Sequence, residues 1–251
     1  MQQVEIKKTV LITGAARRIG AEISRTLHDA GMNIVLHYHS SRAEAMALCD
    51  ELNDKRAYSA VIVQSALHEQ DSEKKLMADT IAAFGRLDVL VNNASRFYPT
   101  VMGKVNVEQW EDLINSNLRA PFFLAQAAAA FLKETEGCII NITDIHGEKP
   151  LQDYPVYSLT KSGLLMMTQI LAKELAGKIR VNAVSPGPVL WPEGAANALS
   201  DEDKKRIANK NLLERHSTPQ DIAKAVLFFA RDAECVTGQV LNVDGGRLLS
   251  T

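Results

Sequence analysis

The sequence predicts an α/β fold: a single domain built on a doubly wound, seven-stranded parallel sheet with helices on both faces. Three observations carry this prediction. Seven short apolar, β-branched runs alternate with helical patterns of ten or more residues, an order that implies parallel strands joined by helical crossovers. Some of those runs end abruptly in small and polar residues, most clearly from Val89 to Ser95, as strands do where an open α/β sheet binds ligands. No linker, internal repeat or low-complexity segment divides the 251 residues.

Composition narrows the class. A chain that is 46% hydrophobic can bury a substantial core, and its net charge of −2, with signs mixed throughout, offers no basic field for nucleic acid or an anionic membrane. Cys49, Cys138 and Cys235 are far apart and have neither metal-binding nor CxxC spacing, which suits a reducing cytosol. The N-terminus shows no signal-peptide layout, and no apolar stretch reaches the ~18 residues of a membrane span. The expectation is a soluble cytoplasmic protein without a metal.

The elements follow in order. Thr9 to Thr13 reads as a buried strand. Gly14 to Gly20 is a small-residue turn, and a helix runs from Ile19 to Ala30 until Gly31 stops it. Strand, turn and helix in that sequence aim a helix N-terminus at a phosphate. Gly14 suits the tight turn and Gly20 the close helix–strand approach, while Arg18 stands where many dinucleotide loops have a middle glycine. Asn33 to Tyr38 is the second strand. Its end lies ~20 residues beyond the glycine loop, where an NAD site would carry an acid for the ribose 2′-hydroxyl. Here His37, Tyr38, His39, Ser40, Ser41 and Arg42 follow instead, with Arg17 and Arg18 in the loop. Donors and positive charge of this kind suit a 2′-phosphate, hence NADPH. Ser41 is also placed to cap the next helix.

That helix is predicted over Arg42 to Leu52, followed by a strand from Ser59 to Gln64 and a helix from Ser72 to Phe84, closed by Gly85. The fourth strand, Val89 to Ser95, leads into Phe97, either a hydrophobic lid or a face for a planar ligand. One long helix from Val107 to Phe131 contains Asn117. Gly137 to Ile142 is the fifth strand and delivers Thr143 and Asp144. A helix bearing Tyr157 and Lys161 continues to Ala176, and Ile179 to Val184 is the sixth strand, broken by Pro186 and Gly187. A mixed segment over 189–211, with Trp191 and Pro192, is a candidate lid. Thr218, Pro219 and Asp221 open the last helix, and Gln239 to Val243 is the seventh strand, ended by Asp244, Gly245 and Gly246.

Tyr157 and Lys161, four apart, share one helix face. An ammonium beside a phenol favours the phenolate, but moving a phenol from ~10 toward ~7 takes about 4 kcal/mol. One lysine falls short of that, so a second positive source such as a bound cofactor is expected.

With these motifs in place, the chain resembles the short-chain dehydrogenases/reductases, Rossmann-type enzymes, over essentially its whole length. Thr13, Gly14 and Gly20, then Asn92, Asn93 and Ala94, Asn117, Tyr157 with Lys161, Pro186 with Gly187, and Asp244 to Gly246 stand in that family's order and spacing. Within the family the chain is similar to the pteridine reductases. Arg18, the run His37 to His39, the run Asn92 to Pro99 and Asp144 carry this narrower likeness; most of the family has a serine thirteen residues before the tyrosine, where this chain has Asp144. A carboxyl can accept hydrogen bonds from ring N–H groups and return a proton, whereas a ketone oxygen wants a hydroxyl donor. Desolvation beside a flat ligand is expected to raise that carboxyl's pKa.

The resemblance implies hydride transfer from NADPH to a C=N bond of a pterin, dihydropterin or dihydrofolate, with Tyr157, Asp144, Lys161 and Asn117 as the catalytic set. Phe97 stacks on the pterin; Ser95 and Arg18 contact it or the cofactor phosphates; Tyr154 and Trp191 hold the substrate; Lys161 binds the nicotinamide ribose; Asn117 positions a water for proton resupply. The cofactor site implied takes in Gly14, Arg17, Arg18, Ile19, Gly20, His37 to Ser41, Leu67, Asn93, Ala94, Ser95, Thr143, Pro186 and Gly187. Homotetramers through the Val107–Phe131 and Tyr157–Ala176 helices are the family habit. Ala66 departs from the acidic residue usual at the adenine, and Pro188 to Leu190 lacks the usual hydroxyl beyond Gly187. The rival readings are a carbonyl reductase of 3-oxoacyl type and a sensor that binds NADPH without turnover.

Overall fold

The computed structural model describes residues 7–69, 71–189, 200, 202 and 209–250. Its centre is one seven-stranded sheet in the order β3-β2-β1-β4-β5-β6-β7, every neighbouring pair parallel. The strands are β1 (Thr9–Ile12), β2 (Asn33–Tyr38), β3 (Ala60–Gln64), β4 (Val89–Asn92), β5 (Cys138–Ile142), β6 (Arg180–Pro186) and β7 (Val240–Val243). The helices are α1 (Arg18–Asp29), α2 (Arg42–Lys55), α3 (Ser72–Phe84), α4 (Val107–Ile114), α5 (Ala120–Thr135), α6 (Pro155–Glu174) and α7 (Pro219–Arg231).

Each central strand feeds both faces of the sheet, because side chains alternate along it. Val10, Ile12, Val89, Val91, Ile140 and Ile142 pack beneath α1 and α7, alongside Ile23, Leu27, Ile222 and Val226. Leu11, Leu90 and Ile139 face α3, α5 and α6, alongside Leu76, Leu124, Leu164 and Leu171. Near the carboxyl ends this second layer turns polar: Asn92 donates to Asn141 (2.9 Å), and Asn141 donates to Thr168 of α6 (2.9 Å). This bridge ties β4, β5 and α6 together directly below the residues of the cleft.

The predicted caps hold at two helix ends. Thr218 and Asp221 form a reciprocal capping box with Pro219 in the first turn of α7, and Gly85 closes α3 in the left-handed region at φ 71°. Ser41 occupies the N-cap of α2 but makes no side-chain capping bond. The single long helix expected from Val107 is interrupted. A π-turn over Asn115–Arg119 separates α4 from α5, with Ala120 N–H bonded to Asn115 O. No described helix is long and apolar enough to cross a membrane.

Candidate active site

The carboxyl ends of β1, β4, β5 and β6 converge where the strand order reverses on either side of β1, the place where such sheets bind ligands. Gly14 leaves β1 at φ 61°, and a Cβ at Gly20 would lie 2.2 Å from Gly14 O, so only glycine permits α1 to close on the strand. Thr13 Oγ1 accepts from the backbone N–H of Asn93 (2.9 Å) and Ala94 (3.0 Å). Asn93 Nδ2 in turn donates to Thr13 O (2.8 Å) and Gly14 O (3.0 Å). The Asn93 side chain therefore locks the loop from behind. Arg18 keeps the left-handed backbone (φ 55°) that a glycine would take there, a strain of about 1–2 kcal/mol for a residue with a side chain.

Several residues expected at the cofactor prove to be scaffold. His37 is buried: its Nδ1 accepts from Gly14 N–H (3.1 Å), which leaves Nε2 to donate to Ser65 O (3.0 Å). Burial pushes its pKa down to about 4, so it is a neutral strut for the glycine loop and not a phosphate ligand. Tyr38 is buried against Ala16 and Ala45. Leu67 packs on the α3 side of the core, leaving only its backbone for an adenine. The Thr143 hydroxyl donates to Val184 O (3.1 Å), which directs it into β6. Arg17, Arg18, His39 and Ser40 are exposed and Ser41 half-buried, in one cluster at the end of β2 and the start of α1. Arg17 lies 3.5 Å from Glu44, an exposed pair that a phosphate can displace. Pro186 ends β6, and Gly187 N–H donates to Val243 O (3.1 Å); a Cβ there would stand 2.8 Å from the Asp244 Cα.

The proton-handling corner lies on β5 and α6. Tyr157 Oη donates to Asp144 Oδ2 at 2.7 Å, while Asp144 Oδ1 accepts from His146 N–H at 2.8 Å and caps the short 3₁₀ turn Ile145–Gly147. One carboxylate thus serves as turn cap with one oxygen and as phenol partner with the other. Burial and then Asp144 raise the Tyr157 pKa well above its usual value. Lys161 by itself does not lower this phenol, in keeping with the expectation that one lysine falls short. The lysine Nζ lies 5.6 Å from the ring centroid and donates to Ile142 O (3.1 Å), whereas the carboxylate is in direct contact. Desolvation lowers Lys161 to about 8. Its bond to Ile142 O leaves further N–H directions available, and together with the glycine cradle and an α1 first turn free of acidic residues this fits the phosphates and ribose of a dinucleotide.

Asn117 sits in the π-turn with its side chain fully engaged. Oδ1 accepts from Arg96 N–H (2.8 Å) and Ser95 Oγ (3.2 Å); Nδ2 donates to Arg96 O (2.9 Å) and Thr160 Oγ1 (3.2 Å). The expected water would have to be held by backbone, because this amide is a clamp between the β4 loop and α6. Phe97, half-exposed on that loop, lies parallel to Tyr154 at 4.6 Å and edge-on to Tyr157 at 4.8 Å. Tyr154 is accordingly the backing of the Phe97 plate. Sequence reading missed Thr160 and Asp112, ordinary polar residues without motif spacing; Ser65, expected as a neighbour of the adenine, instead binds His37 through its carbonyl. Trp191 and most of the 189–211 segment fall outside the described residues.

Lys161 gives a test with a defined sign. Below pH 8 folded and unfolded chains both carry its proton, so the fold bears the whole desolvation cost, and this is relieved as pH rises from about 8 toward 10.5. The interval corresponds to roughly 3 kcal/mol at full size. Lys161→Met should therefore raise stability by about 2 kcal/mol at pH 7, once the lost hydrogen bond is allowed for. That gain should shrink by about pH 9.5, as read from urea unfolding at both pH values.

The geometry agrees with relationships visible in known proteins. The family model for "Enoyl-(Acyl carrier protein) reductase" matches residues 14–247. A 3-oxoacyl-[acyl-carrier-protein] reductase of Staphylococcus epidermidis is 35% identical over 244 residues, covering 96% of this chain and 99% of that one. Pteridine reductase 1 of Leishmania tarentolae is 34% identical over 280 residues, covering 96% of each. Among solved structures, a blue fluorescent protein from a metagenomic library, crystallised with NADPH, superposes with a TM-score of 0.87 at 35% identity over 96% of this chain and 97% of that one. Cradle, Tyr157–Lys161 pair and full-length similarity together make this chain a member of the short-chain dehydrogenase/reductase family of oxidoreductases.

Proposed function

We propose that the protein is an NADPH-dependent reductase acting on a C=N bond of a pterin, dihydropterin or dihydrofolate. The observation that carries this reading is the 2.7 Å hydrogen bond from Tyr157 to Asp144. With the phenol proton turned onto a carboxylate, the pocket presents acceptor oxygen where a ketone would need a donor. An aminopyrimidine edge, rich in N–H groups, matches that surface. The exposed face of Phe97, backed by Tyr154, offers a flat apolar seat for a bicyclic ring.

Bound NADPH supplies the hydride that the ring carbon accepts. Tyr157, kept protonated by burial and by Asp144, holds the proton that the ring nitrogen must gain, and Asp144 orients both the phenol and the substrate. Lys161 binds the nicotinamide ribose with the N–H groups that Ile142 O leaves free. Arg17, Arg18, His39, Ser40 and Ser41 surround the 2′-phosphate; the backbone of Ile19, Gly20, Ala94 and Leu67 borders the dinucleotide, and Pro186 and Gly187 flank the nicotinamide. Trp110 of α4, Phe122 of α5, and Leu159, Met166 and Ile170 of α6 leave apolar area exposed, which supports a homotetramer that buries those helices.

A second reading, a 3-oxoacyl reductase, is favoured by the names of most relatives of comparable identity. It requires Asp144 to meet the ketone in its protonated form. Following NADPH oxidation with dihydropterin, dihydrofolate and a 3-oxoacyl thioester side by side separates the two. Turnover of the thioester alone overturns the pterin reading.

Tyr157→Phe should lower kcat by about a thousandfold while NADPH binding, followed by nicotinamide fluorescence, changes by less than about twofold. Asp144→Ser should cut dihydropterin turnover by about a hundredfold and retain or improve thioester reduction. The same variant removes a cause of the raised Tyr157 pKa, so the alkaline limb of its pH–rate profile should move to lower pH.

A further inference from the structure

Asp112 is on the exposed side of α4 and touches no group of the proton-handling corner, yet its two oxygens reach the residues on either side of Phe97. Oδ1 lies 2.7 Å from Arg96 Nη1, and Oδ2 accepts from Tyr98 Oη at 2.9 Å. Tyr98 Oη also reaches Gln109 O (3.3 Å), and burial together with Asp112 pushes its pKa up to about 12, so it remains a donor. The Arg96 backbone is held at both N–H and C=O by Asn117. Three residues past Phe97, Thr100 N–H donates to Asp153 O (2.8 Å) and Thr100 Oγ1 accepts from Val156 N–H (3.4 Å).

From this arrangement we propose that Asp112 is a positioning residue: by gripping Arg96 and Tyr98 together it fixes the tilt of Phe97, and so the seat of the substrate ring. The inference rests on the reading of Phe97 as the substrate plate and names what sets its position. The backbone bonds to Asn117 and Thr100 fix the two ends of the loop, but they leave rotation of the segment between them to be stopped by side chains. Arg96 and Tyr98 project toward α4, and a single carboxylate receives both. A carboxylate can accept from a guanidinium and a phenol at once, whereas an amide at this position would offer the guanidinium a weaker, uncharged acceptor. Phe97 then projects the other way, onto Tyr154 and Tyr157. Glu108, Glu111 and Arg119 lie on the same helical stretch, but no ion pair joins them to Arg96 or Tyr98 among the described residues.

The test is a double-mutant cycle read on substrate KM. Asp112→Asn should raise KM for dihydropterin about five- to tenfold, with kcat within about twofold and NADPH affinity unchanged. In a Phe97→Ala background the same change should alter KM by less than about twofold, because the part it positions is gone. Additive effects, or an unchanged KM in the single variant, overturn the proposal. If the wild-type enzyme reduces only the 3-oxoacyl thioester, the pterin reading falls, and the cycle is read with that substrate. A readout independent of turnover accompanies it. With 4-fluorophenylalanine at position 97, the ¹⁹F spectrum should show one sharp resonance while Asp112 is intact, and a shifted or broadened one once Asp112→Asn is introduced. Identical spectra refute the clamp whatever the substrate.

Discussion

The hydrogen bond between Tyr157 and Asp144 sets the character of the whole cleft. The buried phenol is held protonated first by desolvation and then by the carboxylate in contact with it, since both disfavour negative charge on Tyr157. The lysine responds in the opposite sense, its own charge disfavoured by the same dry surroundings. Proton affinity therefore departs from its ordinary value at both Tyr157 and Lys161, in opposite directions.

Everything that holds this trio in place lies one layer deeper. β5 brings Asp144 to the sheet edge, and the Asn92–Asn141–Thr168 bridge keeps β4, β5 and α6 in register. Asn117 ties the Phe97 loop to Thr160, one residue before Lys161. His37 acts similarly at the cofactor end, joining the glycine turn to the strand-end segment at Ser65. These are side chains of the kind that motif reading assigns to ligands. In the fold they act mainly as connectors that pre-organise backbone for ligands.

The fold was legible in the sequence because buried parallel strands and amphipathic helices carry long, periodic signals, and all seven strands fall where the apolar runs place them. Helix starts were legible where caps announced them, as at Thr218. The interruption at Asn115 was not, since a π-turn keeps helical composition and differs only in its bonding. Within the site, Tyr157 and Lys161 were recognisable from spacing along one helix, and Asp144 from the family resemblance at one strand end. The direction of the Tyr157 shift was not, because it depends first on burial and then on the contact with Asp144, both three-dimensional quantities. His37 and Thr143 were misassigned for a related reason: a strand's last residues can point into the sheet or out of it, and composition does not distinguish the two.

The π-turn at Asn117 ties the active site to chain length. Each residue of an α-helix advances the azimuth by about 100°, so removing one residue between Asn115 and Arg119 would let an ordinary helix re-form and swing Asn117 away from the Phe97 loop relative to α5. The enlarged turn thus acts as a phase shift between two helices that must face different neighbours. The length of this turn is therefore constrained by angle, and its composition by the clamp that Asn117 makes.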